Sequence, residues 1–229
     1  MDQFLWVIFP YLMVTIFIVG HIYRYKTEQL EWTAKSSEFF EKGSLKWGSM
    51  LFHIGVILVF FGHVVGLLIP KGVFERIGIN EHFYHAGAVY GGGAAGLITL
   101  AGILILFSRR IASTRVRVIS EFSDYLVTGL LLLIIALGVY NTLGYNLFVG
   151  HFDYRETIGP WVRGFLMLNP DPSLMLEVPL FFKLHILLSF TLFGIWPFTR
   201  LVHVWSVPLV YFRRSYILYR RRNVRQSVS

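Results

Sequence analysis

The sequence predicts an all-α integral membrane bundle of five transmembrane helices, N-terminus outside and C-terminus cytoplasmic. Three observations carry that reading. The 229 residues are 55% hydrophobic and only 15% charged, with a mean hydropathy of +0.60, whereas a soluble domain carries about 25% charged residues. The apolar residues gather in five runs, each matching the roughly 20 residues that cross a hydrocarbon core. The basic residues collect at the ends of those runs, as the positive-inside rule requires. No strand-and-turn rhythm interrupts the runs, which argues against a membrane barrel.

The first run, about 4–24, lacks a basic leader region and a small-residue cleavage site, so it is expected to be a retained helix. Residues 26–46 mix Lys and Glu and predict a solvated loop. The second run, about 47–69, stops at Pro70 and contains His53 and His63. The third, about 85–107, carries Gly87, Gly91, Gly92, Gly93, Gly96 and Gly102, small residues that let membrane helices approach closely. Arg109, Arg110, Arg115 and Arg117 close it. The fourth run is about 122–143, followed by a polar loop over 144–177. The fifth, about 179–210, contains His185 and His203 and leads into a basic tail over 211–229. The whole chain, 1–229, forms one domain.

Orientation follows from the basic side chains. Of the 21 Lys and Arg residues, only Lys71, Arg76, Arg155, Arg163 and Lys183 flank one set of run ends. All the others flank the opposite set, which is therefore cytoplasmic. This distribution also accounts for the net charge of +8 without nucleic acid. The chain has no cysteine. That excludes disulfides, thiolate metal sites, covalent haem attachment through C-x-x-C-H and cysteine-ligated iron–sulfur clusters within it.

Ionisable residues inside a membrane are costly and mark function. Four histidines on two helices therefore require an explanation. The second helix runs outward and the fifth inward, so antiparallel packing pairs His63 with His185 near the outer face and His53 with His203 near the cytoplasm. His185 and His203 lie five whole turns apart and share a face, while His53 and His63 differ by about 80°. Ten residues rise about 15 Å and eighteen about 27 Å. Tilt, a kink at Pro197 or slanted ligation must absorb that difference. Two imidazoles per site, without cysteine or bridging carboxylates, suit the axial positions of an electron-carrying haem iron. Hydrogen-bonded helix-contact histidines are the plain alternative. Gly55, Gly62, Gly66 and Gly194 offer either close approach for a flat macrocycle or helix packing. Arg200, one turn before His203, is a candidate partner for haem propionates, or else an interfacial cation; Arg109 and Arg110 are weaker candidates.

These residues sit in stretches that resemble a known family. L-F-H-I-G with F-G-H ten residues on, F-K-L-H, P-F-T-R-L-V-H-V-W-S-V-P, the R-R-x-x-x-x-R-V-R segment and the Arg24-Tyr25 pair are similar to the gamma subunit, or cytochrome b subunit, of respiratory membrane-bound nitrate reductase. The resemblance covers nearly the whole chain. It implies two haem b groups: an inner one on His53 and His203, an outer one on His63 and His185. It implies oxidation of quinol (menaquinol or ubiquinol) near the outer haem. Electrons then pass inward to an iron–sulfur beta subunit and a molybdenum-containing alpha subunit on the cytoplasmic side of the plasma membrane. The family carries a lysine beside the outer haem, just before its third helix. Here that stretch reads N-E-H-F-Y-H-A-G, and His82, Tyr84 and His85 are the polar residues available to a quinol, with Gly62 and His63 nearby and Lys71 further back.

Two other readings compete. The same haem scaffold would serve as the cytochrome b anchor of a hydrogenase, formate dehydrogenase or heterodisulfide-type reductase. A haem-free transporter would use the histidines as a proton relay. Such a relay favours a mid-helix carboxylate, and the nearest one is Asp124, at the start of the fourth helix.

Overall fold

The structure is a computed structural model and describes residues 1–27 and 43–205. The basic tail and most of the first loop lie outside these residues. Five helices are long and apolar enough to cross a membrane: α1 (Phe4–Thr27), α2 (Gly43–Leu68), α3 (Glu81–Ala112), α4 (Phe122–Phe148) and α5 (Leu180–Phe198). No strand occurs among the described residues.

Local chemistry fixes where the helices begin and end. Pro70 stands in an extended conformation just past α2, where its missing N–H and fixed φ disfavour continuation. Asn80 caps α3, its side chain accepting a hydrogen bond from the Phe83 amide at 2.9 Å, which satisfies one of the helix's orphan donors. Glu121 and Asp124 form a reciprocal capping box at the start of α4, satisfying two more. Pro179 precedes the first residue of α5, a position proline tolerates.

Packing follows the small residues. α2 lies on α3, α3 on α4, α4 on α5 and α5 on α1. A Cβ at Gly55 would collide with the backbone of Thr99, and one at Gly102 with the backbone of Phe52. The α2–α3 contact is therefore backbone against backbone. The two histidine-bearing helices, α2 and α5, are not closely packed on one another. They are joined through α3 and α4, and their histidine rings approach one another across the space between them. Large apolar side chains such as Ile57, Phe60 and Phe61 stay exposed on α2; a water-soluble monomer rarely leaves so extensive an apolar surface uncovered.

Two elements differ from the sequence expectation. The fifth run does not continue as one helix through 179–210. Its α-helix ends at Ile195, Trp196–Phe198 forms a 3-10 turn around Pro197, Thr199 is extended, and Arg200–Trp205 is again 3-10. Proline cannot donate the interior hydrogen bond, and the ladder breaks there. The 144–177 loop is a folded cap containing the helix Ile158–Leu166. It encloses a core of Trp6, Ile158, Trp161, Met175 and Val178. Trp161 Nε1 donates to the Trp6 carbonyl at 3.0 Å, and the two indoles meet edge to face at 5.9 Å.

Two histidine pairs and an outer charged cluster

The structure brings the four intramembrane histidines together as two pairs. The rings of His63 and His185 are 6.2 Å apart, centre to centre, and within 17° of parallel. Those of His53 and His203 are 6.4 Å apart at 67°. A metal–imidazole nitrogen bond is about 2.0–2.1 Å, and the nitrogen sits about 1 Å from its ring centre, so one metal gripped from both sides sets the centres about 6 Å apart. Both pairs meet that spacing. The break after Ile195 is where the chain departs from a straight rod between His185 and His203.

The tautomers are set by the backbone. Nδ1 of His53 lies 2.7 Å from the Ser49 carbonyl, that of His63 2.8 Å from Val59, that of His185 2.9 Å from Ile134, and that of His203 2.7 Å from Arg200. A carbonyl only accepts, so each Nδ1 carries the proton. Each Nε2 is left with the lone pair that binds a metal. Such outer hydrogen bonds orient ligating imidazoles and raise their basicity.

The glycines divide. Gly55 is committed to Thr99, and a Cβ on Gly194 would strike the Met13 sulfur, so both are packing glycines. Gly62, beside His63, faces nothing within 4 Å. Gly66 abuts two phenols: a Cβ there would lie 2.8 Å from the Tyr154 hydroxyl and 3.2 Å from that of Tyr84. It sits in a π-helical turn, Val64–Leu68, directly after His63, a distortion frequent at functional sites.

Around those phenols one end of the bundle carries a cluster that the sequence did not reveal. Tyr84 and Tyr154 share a hydrogen bond of 3.1 Å. The Arg155 guanidinium lies 3.8 Å over the Tyr84 ring and clasps both Glu81 oxygens and Asp153, at 3.0 Å. Lys71 reaches Asp153 at 3.2 Å and Glu156 at 2.8 Å. Burial, then the hydrogen bond with Tyr84, pushes the Tyr154 phenol well above its ordinary range. Burial alone would raise Asp153, but hydrogen bonds from Arg155 and Lys71 outweigh it and hold the carboxyl below its ordinary value. His85 faces His151, ring centres 4.2 Å apart. His82 is exposed against Phe83, and Tyr84 alone of the three expected quinol residues reaches Gly66. Asp153, Tyr154 and Arg155 lie in a loop that reads as merely polar; its dense run His151-Phe152-Asp153-Tyr154-Arg155-Glu156 was the available signal. Glu81, His151 and Asp153 could offer metal ligands within 4.8 Å of one another, but Arg155 and Lys71 already neutralise the carboxylates.

At the opposite end, Arg200 is bound to a carboxylate: its Nε lies 2.7 Å from Asp124 Oδ1, and its Nη2 donates to the Ile119 carbonyl at 3.3 Å. Arg110 holds Asp124 Oδ2 at 3.1 Å. Asp124 is thus a fixed counter-ion.

Five membrane-length helices holding two oriented imidazole pairs at two levels define a multi-pass membrane protein with paired histidines inside it. The chain belongs to the nitrate reductase gamma subunit family, whose model matches residues 2–222. It is 51% identical over 221 residues to the nitrate reductase gamma chain of Bacillus subtilis (strain 168), covering 96% of this chain and 99% of the relative. It is 34% identical over 229 residues to the respiratory nitrate reductase 1 gamma chain of Escherichia coli (strain K12), covering 97% and 99%. It is also 38% identical over 223 residues to the nitrate reductase-like protein NarX of Mycobacterium tuberculosis (strain ATCC 25618 / H37Rv), of which it spans 34%. The chain is accordingly a multi-pass plasma membrane protein and a membrane subunit of respiratory nitrate reductase.

Proposed function

We propose that the chain is a di-haem cytochrome b that oxidises quinol near the outer face and delivers electrons to a cytoplasmic iron–sulfur beta subunit, which serves a molybdenum-containing alpha subunit. The observation that carries this reading is the pair of imidazole couples, 6.2 and 6.4 Å across, with every Nδ1 anchored on a carbonyl. His63 and His185 would hold the outer haem, and His53 and His203 the inner one. Haem b, when bound, would supply a one-electron couple suited to electron transfer. The chain's own residues fix ring orientation, exclude water with the apolar helix faces, and set charge at both ends.

Quinol binds at the outer end, against Gly62 and Gly66. The Tyr84–Tyr154 pair offers it a hydrogen bond. Because Tyr154's proton is held tightly, this pair donates rather than acts as base. His85, backed by His151 and the Glu81–Arg155–Asp153 cluster, takes the quinol proton toward the outer surface; His82, exposed beside them, belongs to the exit. Quinol carries two electrons and two protons, so two such deliveries complete one oxidation. The long apolar wall of α2 and the anchored histidines favour this over a haem-free proton relay, whose nearest carboxylate, Asp124, is already ion-paired to Arg110 and Arg200.

The test is a reduced-minus-oxidised spectrum with haem-to-protein stoichiometry on the purified complex, followed by single His→Leu variants. Two b haems per chain are expected. His63→Leu and His185→Leu each remove the outer haem and quinol oxidation; His53→Leu and His203→Leu each remove the inner haem and delivery to the partner. Unchanged haem content in all four variants would sink the ligand assignment.

A further inference from the structure

We infer that Asp124 is a positioning residue for the inner haem ligand His203, acting through Arg200; the inference rests on the di-haem reading above. The four histidines are not held alike. His53 and His63 lie inside α2 and bond the carbonyl four residues back, so an intact helix orients them. His185 lies inside α5 and reaches Ile134 on α4. His203 lies beyond the end of the α-helix, in the 3-10 segment Arg200–Trp205. Its Nδ1 bonds the carbonyl of Arg200 at 2.7 Å, so its ring follows wherever Arg200 is placed. What places Arg200 is Asp124 at 2.7 Å. The Asp124 side chain is only 2% exposed, and it is itself fixed by the Glu121 amide at 2.9 Å and by Arg110 at 3.1 Å.

The carboxylate thus ties three elements together: the end of α3 through Arg110, the start of α4 through its own backbone, and the segment bearing His203 through Arg200. A surface ion pair would do little of this; a buried, multiply bonded one sets geometry. The charge count adds a second effect. Two guanidinium groups share one carboxylate, so removing the carboxylate leaves both positive charges uncompensated near the inner site. Unscreened positive charge favours the reduced form of a neighbouring iron.

The experiment uses the full complex carrying Asp124→Asn, with Asp124→Glu as the conservative variant. Potentiometric titration and low-temperature electron paramagnetic resonance resolve the two haems. In Asp124→Asn the inner haem's midpoint potential rises and its low-spin ferric signal shifts or broadens, while the outer haem keeps its own potential and signal; Asp124→Glu restores both. If Asp124→Asn does not accumulate, Arg200→Lys keeps the charge but loses the second contact, and it broadens the inner signal alone. An inner haem unchanged in potential and signal in Asp124→Asn, or in Arg200→Lys where that variant is needed, overturns the positioning role. A wild-type complex without two b haems overturns the underlying reading instead, so the two failures are distinguishable.

Discussion

A carbonyl oxygen opposite Nδ1 decides what an imidazole can do with its other nitrogen, and here four main-chain carbonyls make the same decision. The four histidines were legible in the sequence because charge is scarce in these runs and four histidines on two helices stand out. Their pairing was legible because basic flanks orient each helix. The carbonyl partners were not, since the Ile134–His185 bond joins positions 51 apart in sequence. The same blindness hid the outer cluster. Tyr154 and Arg155 look like ordinary loop polarity until the loop folds over α3 and sets Arg155, 4% exposed, on the Tyr84 ring. At this scale Asp153 makes a pH prediction. Its carboxyl is held below its ordinary value of 3.8 in the folded chain. The contribution is therefore complete above that value and fades as the pH falls through the lowered one. Hydrogen exchange at residues 150–158 is expected to stay slow down to about pH 4 and to accelerate below it. In Asp153→Asn the exchange is expected to be faster at neutral pH and to lose most of that pH dependence; wild-type exchange that is flat across the acid range counts against the idea.

A break in a helix must be stabilised from outside, because it strands carbonyls that an unbroken helix would satisfy. In α5 that support comes from α1. Arg24 Nη1 donates to the Pro197 carbonyl at 2.6 Å and to that of Thr199 at 3.2 Å. A Cβ at Gly20 would meet the Pro197 ring at 2.8 Å, so a glycine lets the two elements come this close. The existence of all five helices was plain from hydropathy, and so was proline's capacity to disturb the fifth. That the disturbance would be a full break depended on Arg24, 173 residues away from Pro197. Arg24→Ala removes two charge-assisted bonds from stranded carbonyls and is expected to cost about 1.5–3 kcal/mol. Thermal unfolding in detergent would show the loss, and under the proposed di-haem reading the haem held by His203 would dissociate before the other because His203 follows the break. Simultaneous loss of both haems at an unchanged midpoint would contradict that account.

The two histidine pairs sit at different levels between α2 and α5, so the molecule has a direction as well as a fold. Its two ends differ in charge chemistry. One end balances Lys71 and Arg155 against Glu81, Asp153 and Glu156 and caps itself with the folded 144–177 segment. The other is dominated by arginine: Arg24, Arg109, Arg110, Arg115, Arg117 and Arg200. Translocation tends to retain Lys and Arg in the cytoplasm, so the arginine end is expected inward and the Tyr84–Gly66 site outward. Under the proposed function that polarity decides the side on which quinol protons leave, and it can be read directly because the chain has no cysteine of its own. A single cysteine at Asp2 is expected to react with a membrane-impermeant maleimide applied to intact cells, as is one at Asn169 in the cap. One at Ser113, between α3 and α4, is expected to react only after the membrane is opened. Labelling of Ser113→Cys in intact cells, with Asp2→Cys protected, would invert the bundle and place quinol oxidation on the cytoplasmic side.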